Sequence, residues 1–290
     1  MGTNNVGSLQ WKQEAGRRRR EQGYGFTNDA QECARLTLQH HLMKLAWHDH
    51  YWAPIHAPEE ILDVACGTSI WGYELLQQFP QAHLTALDID HVLSRRFLEK
   101  EQAKAYIPLL QRLTFIEADA REPLPFQTFR FDFTHARLPE FLSDEQWPAF
   151  IRELMRVTRP SGFVEVVTVG FCQTGNKSQA LRALLVAAMQ DAHMHGEITL
   201  GGLRLTDHLR AAGISANIAT RVVGQTKQQQ RMLLRDIVHA FCEFKLSLAR
   251  RGIMAEDEFE RQLAQFRKDA LETGFSQPFY RVWFQPKDQA

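Results

Sequence analysis

The sequence predicts an α/β protein built on an open, doubly wound parallel sheet. Ile61-Leu62-Asp63-Val64 is an apolar strand that runs into the small-residue turn Ala65-Cys66-Gly67-Thr68-Ser69. A helical stretch follows, then a second apolar run at 84–87 that ends in Asp88. Further apolar strands and helices alternate with this pair through residue 167, as repeated βαβ units do. Ligands of such sheets sit beyond the carboxyl ends of the strands. Small residues let a ligand touch the turn's backbone, and an acid ending the next strand can accept from both hydroxyls of a ribose. The chain is therefore expected to bind a nucleoside.

The turn differs from the pyrophosphate fingerprint Gly-x-Gly-x-x-Gly. Its small positions are 65, 67 and 69, alternating from the acid Asp63. The stretch resembles motif I, Asp-x-Gly-x-Gly-x-Gly, of the class I S-adenosylmethionine-dependent methyltransferases, with Ala65 and Ser69 in place of two glycines. Other segments follow in register. Phe115-Ile116-Glu117-Ala118-Asp119-Ala120 resembles that family's third strand and its adenine-contacting acid. Phe131-Asp132-Phe133-Thr134-His135-Ala136-Arg137 resembles the fourth strand, whose end faces the reacting methyl. Residues 150–159 resemble the helix before the fifth strand, and 160–167 the Pro-Gly turn and that strand. Tyr24-Gly25-Phe26-Thr27-Asn28-Asp29, Arg35-Leu36, Gln39-His40-His41 and Trp71 are similar to bacterial methyltransferase-domain proteins related to the fungal regulators of secondary metabolism. The resemblance implies a seven-stranded Rossmann-like sheet with an antiparallel last strand. It also implies S-adenosylmethionine as cofactor, with S-adenosylhomocysteine as product.

The remaining elements follow in order. Residues 1–22 are polar and carry Arg17 to Arg20 in a row, read as a solvated or partly helical arm. Residues 28–50 repeat apolar positions at helical spacing, with Asn28 or Asp29 as N-cap. After the fifth strand come helices at 178–195 and 203–212, the latter ending at Gly213. A sixth strand is expected at 214–223, helices at 226–251 and 255–272, and a last strand at 279–284 between Pro278 and Pro286. The family usually joins its last two strands by a short turn. Here helices intervene, so 226–273 is read as a helical lid added to a methyltransferase domain at 58–290, with 1–57 as arm and helical cap.

Composition narrows the function. Of 290 residues, 34 are Lys or Arg and 34 Asp or Glu, so no global basic field steers the chain toward nucleic acid. The four cysteines are widely spaced and form no Cys-x-x-Cys, which suggests neither a zinc site nor a disulfide framework and fits a reducing cytoplasm. No apolar run reaches membrane-spanning length. No Asn-Pro-Pro-Tyr or Asp-Pro-Pro-Tyr follows the fourth strand, where the chain has His135-Ala136-Arg137-Leu138, and no Pro-Cys nucleophile is present.

What the resemblance implies for single residues can be stated by position. Tyr24, Asp63, Ala65, Cys66, Gly67, Thr68, Asp88, Ile89, Asp119, Ala120 and His135 are the expected cofactor-binding residues. Asp88 is read as the ribose partner, or else as a turn or cap acid, while Asp90 is the better cap. Asp63 is expected to orient the loop through backbone N–H groups and to approach the donor's amino group. Asp119 with Ala120 is expected at the adenine. Methyl transfer from a sulfonium needs alignment, plus proton removal only where the acceptor requires it. His135, Arg137 and His41 are the catalytic candidates, with Glu140 behind them, and a satisfied structural histidine is the alternative for His135. His48-Asp49-His50 and His193-Met194-His195 lack a supporting carboxylate set, so no metal is expected. Trp47, Tyr51, Trp52, Phe141, Trp147, Phe171, Phe241 and Phe244 either line an apolar acceptor pocket or belong to the core. The expected activity is methyl transfer to a small, apolar or aromatic acceptor by a monomer or homodimer. The rivals are a protein that binds the donor without spending it, and a protein or RNA methyltransferase using the arginine arm.

Overall fold

The computed structural model describes residues 11–14, 17–20, 27–139, 142–195 and 201–286. The amino-terminal arm forms an antiparallel pair, β1 (Trp11–Glu14) and β2 (Arg17–Arg20), where the sequence suggested a solvated or helical segment. Helix α1 (Ala30–Trp47) starts at Asp29, whose carboxylate accepts from the N–H groups of Gln31 and Glu32. Then come β3 (Glu60–Val64), α2 (Ile70–Gln78), β4 (His83–Asp88), α3 (Val92–Leu98), a 3-10 helix (Glu101–Arg112) and β5 (Leu113–Glu117). Next are β6 (Phe131–Arg137), α4 (Trp147–Val157) and β7 (Thr158–Val169). The remainder is β8 (Gln173–Thr174), α5 (Gln179–His195), α6 (Gly201–Ala211), β9 (Asn217–Val223), α7 (Lys227–Arg250), α8 (Glu256–Thr273) and β10 (Phe275–Phe284).

The main sheet runs β5-β4-β3-β6-β7-β10, with β9 and the two-residue β8 also paired to β10. Strands β3 to β7 are parallel to their neighbours, and β10 is antiparallel to each of its partners. All seven expected strands are present, with β8 as an eighth. Strand order reverses between β3 and β6, the switch point at which such sheets bind ligands.

Two expected boundaries moved for physical reasons. The Pro160-Ser161-Gly162 turn lies inside β7, where pairing with β6 shifts register between Phe131 and Phe133. A side chain at Gly162 would come within 2.5 Å of the Asp132 carbonyl oxygen, so the irregularity needs glycine. Pro278 does not bound β10 but sits within it, its carbonyl accepting from Gly170 N–H.

The sheet buries both faces. On one, Leu62, Val64, Ala136, Val164 and Val166 pack against α4 and α6. On the other, Ile61, Leu84 and Phe133 pack under α2 and α3. A third cluster joins α1 (Leu42, Met43, Trp47) to α5, α7, α8 and the start of β10. Here α1 is tied to α7 by buried polar bonds: Arg35 Nη1 donates to Asp236 at 2.9 Å and Gln39 Nε2 to its other oxygen at 3.1 Å. The helices between the last two strands therefore pack on the helix that precedes the sheet. No helix of the described residues is long and apolar enough to cross a membrane.

Candidate active site

The turn after β3 explains its alternating small residues. Ala65, Gly67 and Ser69 all have left-handed backbone, with φ of 58°, 56° and 57°. Glycine tolerates that region freely, whereas each L-residue there costs about 1–2 kcal/mol. The turn is held from several sides. Cys66 N–H donates to Leu87 O at 3.1 Å and Ser69 N–H to Cys66 O at 2.9 Å. Ser94 Oγ donates to Gly67 O at 2.7 Å. Leu36 of α1 lies over it, 3.2 Å from where a Gly67 side chain would begin.

Asp88 is the turn's main anchor. One carboxylate oxygen accepts from Gly67 N–H and the other from Ile89 N–H, both at 2.7 Å. Burial pushes its pKa up to about 7 against these two hydrogen bonds, with the charges of Asp90 and Asp63 adding to the rise. Each oxygen has a second lone pair for a further donor. Asp90 accepts from Val92 N–H and from Asn28 Nδ2, which links it to the residue before α1's cap.

The neighbouring strand end departs from expectation. Ala118 N–H donates to Asp88 O at 3.0 Å, so the two strand ends are coupled. Both oxygens of Asp119 are taken by the Arg121 guanidinium. An adenine amine would therefore have to use the lone pairs that Arg121 leaves. Ala120 packs with Leu124 and Phe126 in the core.

Asp63 also behaves differently from its expected role. The loop N–H it was expected to hold goes to Asp88 instead. Asp63 Oδ1 lies 3.1 Å from His135 Nδ1, with both residues buried. Register brings Asp63, His135 and Glu165 side by side on the three central strands β3, β6 and β7. Side chains of paired residues share a face, so three ionisable groups form one row. Burial raises Asp63 to about 7 against the attraction of Arg137. Burial lowers His135 to about 3, opposed by Glu165 and helped by the charge of Arg137. The His135 ring stacks on Trp71 at 3.7 Å and 9°, and its Nε2 has no hydrogen-bond partner. When ionised, Asp63 can only accept, so His135 then donates from Nδ1 and presents an Nε2 lone pair.

That row borders a polar cavity lined by His40, Met43, Lys44, Asp49, His50, Trp71, His135, Arg137, Val167 and Arg281. His40 binds Glu74 at 2.9 Å through Nε2 and faces Arg137 Nη1 at 3.0 Å through Nδ1. Burial lowers its pKa to about 4 despite Glu74. His41, a catalytic candidate by sequence, points away: it lies on the exposed side of α1 and does not line the cavity. The helical period explains this, since successive residues lie about 100° apart and only one of the pair can face inward.

Two residues at this site, Glu165 and Arg281, were not singled out from sequence. Glu165 is fully buried, and one of its oxygens accepts from Trp52 N–H at 2.7 Å and Ala53 N–H at 2.8 Å. Arg281 on β10 donates to Asp49 O at 2.8 Å and covers the Trp47 ring at 4.6 Å. The period-2 pattern Ile61/Asp63, Phe133/His135, Phe163/Glu165 was the available signal. Of the aromatics, Trp147 and Phe241 are core, Phe171 is exposed, and Trp47 and Trp52 stack edge-to-face at 5.0 Å. Tyr24, Glu140 and Phe141 lie outside the described residues, as do the side chains of Arg17 to Arg20, His193 and His195. Among the described residues no group of three or more His, Cys, Asp or Glu is arranged to hold a metal ion.

Known proteins match this arrangement. The family described as "Methyltransferase domain" matches residues 61–162, from β3 into β7. "Methyltransferase str3" of Strobilurus tenacellus is 26% identical over 62% of this chain and 64% of its own. "Probable methyltransferase tdiE" of Emericella nidulans is 29% identical over 47% of this chain and 38% of its own. A "tRNA1(Val) (adenine(37)-N6)-methyltransferase" of Vibrio cholerae is 35% identical over 27% of this chain and 31% of its own. The chain thus spans less than two thirds of the length of each of these relatives. The methyltransferase-domain match thus covers the segment that carries the switch-point turn, the strand-terminal acid Asp88 and the parallel half of the sheet.

Proposed function

We propose that the chain transfers a methyl group from S-adenosylmethionine to a small, apolar or aromatic acceptor in the cytoplasm. The Asp88 carboxylate carries this reading: it ends the strand beside the switch point, is fixed by two backbone N–H groups, and keeps lone pairs for a ribose diol. The residues fit the donor. Asp88 and Ile89 would hold the ribose, and the backbone of Ala65, Cys66, Gly67 and Thr68 its amino-acid tail. Buried Thr68 Oγ1, which has no hydrogen-bond partner, offers a polar contact beside that tail. When bound, the donor supplies a methyl already activated by a sulfonium charge.

The chain's own groups then do the positioning. His135 Nε2 accepts a hydrogen bond from the acceptor, with Asp63 fixing the tautomer and Trp71 the ring plane. Its lowered pKa keeps the imidazole neutral, which suits alignment better than proton storage. Helix α1 lines the site through His40 and Met43 and is itself held by α7 through Arg35 and Asp236.

Calorimetry with S-adenosylhomocysteine tests the reading. Asp88→Ala is expected to weaken binding by about 1.5–3 kcal/mol, the worth of hydrogen bonds to a charged group. Unchanged affinity in that variant, or no heat from the wild type, would defeat it. A second reading, donor binding without methyl transfer, is favoured by the two strained non-glycine positions, Ala65 and Ser69. Release of S-adenosylhomocysteine in the presence of an acceptor separates the two.

A further inference from the structure

The cavity beside His135 holds two guanidinium groups and hydrogen-bonds neither to a carboxylate. Arg137 donates to His40 Nδ1 and has no ion-pair partner among the described residues. Arg281 is 4% exposed, and its Nε and Nη1 have no hydrogen-bond partner. Its nearest carboxylate oxygen, Glu165 Oε1, is 3.9 Å from Nη1, too far for a hydrogen bond. Burial opposes the charge of Arg281; Glu165 attracts it, Arg137 repels it, and Asp49 adds a weaker attraction. Two arginines facing one cavity, Arg281 buried and Arg137 half-buried, can be held together by an anion that accepts from both. Carboxylate is the planar anion that matches the guanidinium fork.

We propose that Arg137 and Arg281 bind a carboxylate carried by the acceptor, which makes the acceptor a small aromatic or apolar acid. The proposal rests on the methyl-transfer reading of the same site. The donor has a carboxylate too, but it does not reach both arginines: Arg137 on β6 lies only two strands from β4, and Arg281 lies beyond it. The donor's ribose is anchored at Asp88 on β4, and β10 lies four strands away, roughly 19 Å at ordinary strand spacing. The tail's five bonds and the Arg281 side chain together do not span that gap comfortably, whereas an acceptor lying beyond the methyl does. The cavity has room for about one water-sized group, so the carboxylate itself would enter it and the acceptor's body would lie outside, past Met43 and Val167.

The test uses the full chain, with benzoate as probe. By calorimetry, benzoate is expected to bind the chain saturated with S-adenosylhomocysteine, and neutral benzamide to bind about tenfold more weakly or worse. Arg281→Gln is expected to lose about tenfold in benzoate affinity while its S-adenosylhomocysteine affinity stays within about twofold. Because Arg281 also holds the Asp49 carbonyl, Glu165→Gln serves as a second variant. It keeps an oxygen for the Trp52 and Ala53 amides, removes the nearest negative charge, and is expected to tighten benzoate. Displacement of benzoate by S-adenosylhomocysteine would put the donor's own carboxylate on the arginines and overturn the proposal. Equal binding of benzamide, or unchanged benzoate affinity in both variants, would overturn it as well. Benzoate binding through Arg281 in a chain that takes no S-adenosylhomocysteine would overturn the methyl-transfer reading and the acceptor assignment, leaving an arginine anion site.

Discussion

Donor binding should strengthen as pH rises through neutrality, and Asp88 is the reason. Its pKa in the folded chain is about 7, because burial outweighs the N–H groups of Gly67 and Ile89. The ionised carboxylate accepts from ribose hydroxyls better than the protonated one. About one tenth of the chains are ionised at pH 6 and about nine tenths at pH 8, so affinity for S-adenosylhomocysteine should rise about tenfold, or about 1.4 kcal/mol. Near pH 6.5 binding should release a proton, visible as a dependence of calorimetric heat on buffer ionisation enthalpy. Stability without ligand should move in the opposite direction. Between the ordinary 3.8 and about 7, the folded state holds a proton on Asp88 that the unfolded state has lost, so this group's contribution falls as pH rises. His40 and His135, both lowered, contribute stability that grows with pH as the unfolded histidines lose their protons. The wild type must therefore be compared with Asp88→Asn, which removes the titration. Asparagine has one acceptor oxygen for two backbone N–H groups, so that variant should also bind donor about 1–3 kcal/mol more weakly at pH 8. Affinity that is flat from pH 6 to 8 in the wild type would refute the reasoning.

Other perturbations follow from the same geometry. Ala65→Gly should relieve left-handed strain and raise stability by about 0.5–1 kcal/mol in urea unfolding. Gly67→Ala should lower it by about 1–2 kcal/mol, since it adds both the strain and the contact with Leu36. Glu165→Ala should cost about 2–4 kcal/mol by leaving the Trp52 and Ala53 amides without an acceptor, and hydrogen exchange at those two amides should accelerate. Arg35→Met removes the guanidinium that neutralises the buried carboxylates of Glu32 and Asp236, so a loss of about 3–5 kcal/mol in unfolding free energy is expected.

Much of the sheet was legible because its strands are short apolar runs bounded by turn residues. Asp88 stood out as a strand-terminal acid after a small-residue turn, and the structure gives it the duty of holding that turn through the N–H groups of Gly67 and Ile89. The sequence was less informative where long-range pairing decides. Pro160 and Gly162 read as a turn, yet the β6 register absorbs them into a strand. His40 and His41 were indistinguishable until α1 was set against α2, because the partner that selects His40 is Glu74, thirty-four residues away in the chain. Asp119 read as an adenine partner, and the sequence does not show that Arg121, two residues on, turns its guanidinium onto that carboxylate. Glu165 and Arg281 went unremarked because each interrupts an apolar strand only once. Their meaning lies in their neighbours on adjacent strands.

That row of ionisable groups raises a question that stability alone does not answer. Asp63 and His135 are buried at the centre of the sheet, and burying such a pair rarely stabilises a fold. Apolar residues of similar shape would serve the core as well or better. His135→Phe should keep the stack on Trp71 but leave Asp63 without its partner, at about 3 kcal/mol or more. Adding Asp63→Leu removes the stranded carboxyl, and the double variant should recover most of that loss in urea unfolding. Its methyl-transfer activity should stay lost while S-adenosylhomocysteine still binds, because Asp88 and the turn are untouched. If the double variant instead loses the sum of the two single changes, the pair is part of the scaffold and His135 has no role in aligning an acceptor. Recovery of stability without recovery of turnover would mean that the polar pair is kept for its effect on the bound acceptor, at the fold's expense.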